Sequence, residues 1–258
     1  MLHVVSVDIL LIPTWGDVTR RETQQFWYHG VRQKFVVAYL AGPPCETWSR
    51  AREVASSADD RRAPRVVRDI SHIWGLPALS VREVRQVLTG NELLLFSFVM
   101  LALLSGTGGC GALEHPAMPE KPTSVSIWRT VLVNLLLRIP GFEFIPFSQG
   151  LLGARSAKPT SMLLLNLPEM GRSIHQARVC SNLPATSSIG KSLSGHWNTL
   201  GLKEYPPGLC RAMAQCIVST VSRLEIDTGS VMDQDFWNRC RAMVVDRFDQ
   251  CLGPDYAA

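Results

Sequence analysis

The chain has no cysteine pair of the CxxC kind and no cysteine and histidine spacing of the zinc type. Its seven cysteines are Cys45, Cys110, Cys180, Cys210, Cys216, Cys240 and Cys251. An odd set without those spacings argues against a zinc module and against a disulfide framework, and fits a reduced, intracellular protein with no metal site. The absence of an N-x-S/T acceptor and of a basic-then-apolar leader at Met1 agrees with that expectation. Long apolar runs are missing too. LLLFSFVMLALL, Leu93 to Leu104, falls short of the roughly 20 residues a membrane span needs, so it reads as a buried helix and no membrane partner is expected. No internal repeat is found. Neither sign of charge dominates: 26 Lys and Arg face 22 Asp and Glu, and a net charge of +4 permits an anionic partner such as nucleic acid without requiring one. What the chain does have is apolar residues, 46% of 258, enough for a large core in one domain or in a domain with an appendage.

The apolar residues fall into an alternation. HVVSVDILLI (3–12) reads as a buried strand, and Thr19-Arg-Arg-Glu22 as a capping box opening an amphipathic helix to about Gln33. FVVAYLAG (35–42) is a continuous apolar run, the mark of a strand covered on both faces. The polar stretch from Glu46 to about Leu79 contains Arg50, Arg52, Arg61, Arg62, Arg65 and Arg68 and reads as a mobile basic loop. Ser80-Val-Arg-Glu83 is a second capping box, starting a helix expected to restart or kink near Gly90 and to run to Leu104. GCGALEHP (109–116) is expected to be a strand with a charged tip, 124–139 a helix, and FEFIPF (142–147) and SMLLLNL (161–167) strands. An irregular segment from Pro168 to about Gly201 follows, then a helix over 206–224 with proline at its start. Alternating strands and helices predict an α/β fold with a doubly wound, mostly parallel sheet.

Gly106-Thr-Gly108-Gly-Cys-Gly111 matches GxGxxG but follows a helix and precedes a strand. A dinucleotide site needs the opposite order, because the helix N-terminus holds the pyrophosphate, so these glycines read as a helix terminator and turn. In open α/β sheets ligands bind beyond the carboxyl ends of the strands, where Asp8, Cys45 and Glu114 all fall. A lone cysteine is commonly a small buried hydrophobe, and a strand-end carboxylate is commonly a helix cap. Taken singly, those readings prevail.

Taken together, the residues carry a resemblance. Gly42-Pro43-Pro44-Cys45, with Ser49 four residues on, resembles the catalytic loop of the cytosine-C5 DNA methyltransferases. Leu113-Glu114-His115-Pro116 stands where that family has Glu-Asn-Val, and the segment from Leu152 through Arg155 and Lys158 to Thr160 is similar to its Gln-x-Arg-x-Arg region. The resemblance implies a Rossmann-like, S-adenosylmethionine-dependent methyltransferase core over 1–167. It further implies a short insert over 168–203 in place of a target-recognition domain, a helix over 204–224 completing the core, and an extension over 225–258 of unknown role. Cys45 would attack C6 of a flipped cytosine, Glu114 would assist at N3, and Arg155 and Lys158 would bind the substrate phosphate or orient Glu114. Asp8, Asp17 and Pro43 would contact S-adenosylmethionine, and Ser49, Arg50, Arg52, Arg61, Arg62 and Arg65 would lie along the nucleic acid, DNA first and RNA as an alternative. A nuclear or nucleoid location is the corresponding expectation. The family's first strand and its Gly-x-Gly loop should precede HVVSVDIL, where the chain has only Met1 and Leu2, so an N-terminally truncated or divergent core is expected. The competing reading is an inactive remnant or nucleic-acid-binding module without donor binding. A third is an unrelated thiol enzyme pairing Cys45 with His72 or His115.

Overall fold

A computed structural model of the chain describes residues 16–49, 52–53, 64–180 and 204–223. The run at 3–12 with Asp8, the arginines 50, 61 and 62, and the segments 181–203 and 225–258 therefore lie outside the described residues.

Helix α1, Arg21–Arg32, forms where expected, but its capping box does not. The Thr19 amide and hydroxyl both donate to Asp17 Oδ1, at 3.2 and 2.6 Å, and Arg20 becomes the N-cap. A local aspartate turn has outcompeted the box for the threonine. Strand β1 is only Ala38–Ala41, and Phe35 is 82% exposed. Helix α2, Val81–Thr107, does carry its capping box between Ser80 and Glu83. It runs unbroken through Gly90, where the expected restart is absent, and stops at Gly108 in the left-handed conformation. By length and composition α2 could cross a membrane, yet 67% of its most apolar window is buried against the rest of the fold.

Strand β2 is Cys110–Pro116. The single helix expected over 124–139 is divided into a 3-10 turn, Ile127–Arg129, and helix α3, Val131–Leu136. The break is at Thr130, extended at ψ 148°, whose hydroxyl donates to Ile127 O at 2.7 Å. Strands β3, Phe142–Ser148, and β4, Pro159–Leu165, are joined through a 3-10 turn, Gln149–Leu152. Pro168–Cys180 is helix α4, which corrects the expectation of an irregular segment there, and α5 is Pro207–Val221 with proline in its first turn.

The sheet order is β1-β2-β4-β3, with β1 parallel to β2 and β4 antiparallel to both its neighbours. Among the described residues the sheet is thus mixed, where a mostly parallel one was expected. The cause is the β3–β4 connection, about ten residues and shorter than the dozen or more that a parallel crossover requires. One face places Leu113, Leu163, Leu165 and Phe144 in a core with α2 and α3. The other places Ala112, Met162, Leu164 and Phe147 against residues of α4 and α5. Helices on both faces make this an α/β fold. Because side chains alternate along a strand, Glu114 belongs to the Ala112 face and His115 to the Leu113 face.

Candidate functional site

The β1–β2 register sets Ala41 opposite Leu113, so Gly42 leaves the sheet beside Glu114, which stays paired with Met162 of β4 near the carboxyl end of β2. Cys45 follows within three residues, after Pro43 and Pro44. Its carbonyl accepts from the Trp48 amide at 3.0 Å, a turn that starts the descent of the chain into the core. Thr47 and Trp48 are buried there by Arg68. The Arg68 guanidinium lies 3.8 Å from the centre of the Trp48 ring and donates to Thr47 Oγ1 at 2.9 Å, Asn91 Oδ1 at 2.8 Å, Ile73 O at 2.9 Å and Val87 O at 3.3 Å. Gly90 permits this, since a Cβ there would come within 3.0 Å of Thr47 Oγ1 and 3.5 Å of Arg68 Nη2. Arg68, expected in a mobile basic loop, is instead buried and fastens the segment after Cys45 to α2.

Glu114 is held from both sides. Gln149 Nε2 donates to Oε1 at 2.9 Å, and the Tyr205 hydroxyl donates to Oε2 at 3.1 Å. Lys158 supplies the nearest positive charge, and the Thr160 hydroxyl is a further neighbour. Burial pushes the Glu114 carboxyl above the usual carboxylate range, while Lys158 and then the hydrogen bonds oppose the rise. Cys45 is half-buried, and its thiol is pushed up, first by burial and then by the charge of Glu114, with Lys158 acting the other way. Among the described residues Lys158 is the cation that lowers this thiol, and it is outweighed. Tyr205 is raised as well, by burial and by Glu114.

Of the residues expected to act, Cys45, Glu114 and Lys158 come together, with Pro43 half-buried at the same strand end. Arg155 does not join them; it is exposed in the turn before β4. Ser49 lies just past the turn, its carbonyl accepting from the Arg52 amide at 3.1 Å. The side chain of Arg52 donates to Gln86 at 3.3 Å, and Arg65 approaches Glu83 at 3.7 Å, so both arginines turn toward the first helical turns of α2. His72 bonds Asp69 at 3.0 Å in an exposed turn, and His115 is buried beneath Trp128 on the sheet face opposite Glu114. Neither histidine is among the groups that shift Cys45. Among the described residues no His, Cys, Asp and Glu cluster could hold a metal ion.

Gln149, Thr160 and Tyr205 were not anticipated. Gln149 ends the FEFIPF strand as a polar residue, and that position is the one sequence signal it offers. Tyr205 stands before Pro206-Pro207 with nothing local to mark it. Of the residues expected to contact a methyl donor, Asp17 Oδ1 accepts from the Thr19 amide and hydroxyl, and the Gly-x-Gly-x-x-Gly run at 106–111 closes α2 and enters β2. Compared with family models, curated proteins and solved structures, the chain matches none.

Proposed function

We propose that the chain is a DNA cytosine-C5 methyltransferase-like protein of Rossmann-like build, in which Cys45 attacks C6 of a flipped cytosine and Glu114 acts at N3. The observation that carries this reading is the juxtaposition of Cys45, in the loop after β1, with a carboxyl of raised pKa near the carboxyl end of the adjacent parallel strand β2. Cytosine resists attack at C6 unless the electrons displaced from the C5–C6 double bond find a sink. Cys45 first gives its proton to solvent; as the thiolate sulfur bonds to C6, the C5–C6 π pair forms a C4–C5 double bond and the C4–N3 π pair moves onto N3, which takes the proton of Glu114, leaving a neutral enamine and a carboxylate. C5 is then nucleophilic. Lys158 balances the new carboxylate charge, and Pro43-Pro44 keep the thiol at the strand end while the base is swung out of the stack. Supplying the methyl group falls to S-adenosylmethionine, whose binding the described residues do not account for.

The addition can be tested without the donor. A reversible adduct makes the C5 proton exchange with solvent, so DNA incubated with the chain in heavy water should gain deuterium at cytosine C5, and Cys45→Ala should abolish the gain. RNA of the same sequence gives the second arm. A second reading, the inactive remnant, draws on the occupation of both Glu114 oxygens by Gln149 and Tyr205. It expects nucleic-acid binding with neither exchange at C5 nor heat on titration with S-adenosylmethionine.

A further inference from the structure

We propose that Gln149 and Tyr205 are positioning residues that decide where the proton of Glu114 sits: Gln149 confines it to Oε2, and the Tyr205 hydroxyl holds it there until a base takes its place. The inference deepens the reading of Glu114 as an acid and rests on it for its purpose, but its geometry stands alone. An amide N–H can donate and cannot accept, and the carbonyl oxygen of an acid is a better acceptor than its hydroxyl oxygen, so the oxygen it faces is favoured as the one without the proton. Gln149 Nε2 faces Oε1 at 2.9 Å. The side chain is fully buried, and its own Oε1 is buried without a hydrogen-bond partner, which leaves the contact with Glu114 as the polar contact described for this amide. The proton therefore belongs on Oε2, opposite the Tyr205 hydroxyl at 3.1 Å. A phenol is both donor and acceptor: it gives its hydrogen to the carboxylate, and it turns to receive the hydrogen of the acid. Tyr205 can follow the proton without moving its ring.

Lys158 Nζ donates only and sits 5.6 Å from the centre of the Tyr205 ring. The Thr160 hydroxyl has two neighbours, the Glu114 carboxyl and Lys158 O at 3.0 Å, whereas Gln149 and Tyr205 each face one carboxyl oxygen directly. Tyr205 also packs over Gly42, where any Cβ would collide with its hydroxyl, so the strand end is shaped to receive this ring. A base presenting an unprotonated ring nitrogen would replace the phenol oxygen as acceptor of the Oε2 proton. A base whose corresponding ring nitrogen already bears hydrogen would meet donor against donor. The arrangement thus selects cytosine over uracil or thymine by the same proton that it later transfers.

The test is infrared difference spectroscopy on the free chain, which needs neither DNA nor methyl donor and so can fail independently of the methyltransferase reading. The C=O stretch of the protonated Glu114 carboxyl is identified by its loss in Glu114→Gln as the pH is lowered. With the proton on Oε2, the carbonyl is Oε1, and removing its donor in Gln149→Leu should shift the stretch to higher wavenumber, while Tyr205→Phe should shift it less. Gln149→Met serves if the leucine variant does not fold, as judged by near-ultraviolet circular dichroism. An equal or larger shift on Tyr205→Phe, or no shift in any variant, overturns the assignment.

Discussion

At the scale of single residues, the site sets a thiol beside a carboxyl whose charge makes the thiol's ionisation costlier. Glu114 raises Cys45 by its charge, so neutralising it should return acidity to the thiol. Glu114→Gln is expected to speed alkylation of Cys45 by iodoacetamide at about pH 8, since only the thiolate reacts. Rates measured from about pH 6 to 9 check this, and identical profiles for the two proteins would mean that the groups are not coupled. The proposed chemistry uses the same coupling in reverse: a base nitrogen that takes the Glu114 proton leaves a carboxylate beside Cys45 only after the sulfur has lost its charge to C6.

At the scale of elements, Arg68 joins the segment after Cys45 to α2 and to the Ile73-Trp74 turn. Its removal leaves Thr47, Asn91 and the Ile73 and Val87 carbonyls without their buried donor. Arg68→Met should destabilise the fold by about 3–5 kcal/mol in chemical denaturation, the range for stripping one partner from a buried charged network. It should also increase protease cleavage near Trp48 before global unfolding. A loss below about 1 kcal/mol would return Arg68 to the solvated loop that its neighbours in sequence suggest. Arg68 shows why parts of this fold were legible and others were not. Signals that act over one helical turn could be read directly: Ser80 with Glu83 caps α2, and the glycines 106–111 end it. The same pattern misled at Thr19 because Asp17 offered a nearer acceptor. Cys45 and Glu114 could be brought together on paper, since parallel neighbours present their carboxyl ends on one edge. Gln149 and Tyr205 could not, because reaching Glu114 depends on β4 running backwards between β2 and β3 and on α5 packing against the sheet, pairings set by distant contacts.

At the scale of the whole molecule, His115 makes the fold sensitive to acid. Buried beneath Trp128 with Nε2 lacking a partner, it is pushed down to about 3 by burial first and the Arg68 charge second. The unfolded chain binds a proton below its ordinary value of about 6.5 while the folded chain does not, so stability falls as pH drops from about 6.5 toward 3, by up to about 1.4 kcal/mol per unit. Glu114 acts in the opposite sense. Its raised carboxyl holds a proton that the unfolded chain has already lost, so its contribution declines as pH rises above the unfolded value of about 4.3. Denaturation midpoints at several pH values, with and without His115→Leu, should show the acid slope flattening in the variant; an unchanged slope would place the acid sensitivity elsewhere. The sheet order also imposes a chronology on the site. Cys45 leaves the ribosome early, whereas Tyr205 is synthesised about 160 residues later, roughly ten to thirty seconds at ordinary elongation rates. Through that interval Glu114, made about 70 residues after Cys45, stands without its Tyr205 partner, so the thiol is more exposed to oxidants and alkylating agents during biosynthesis than after α5 has packed.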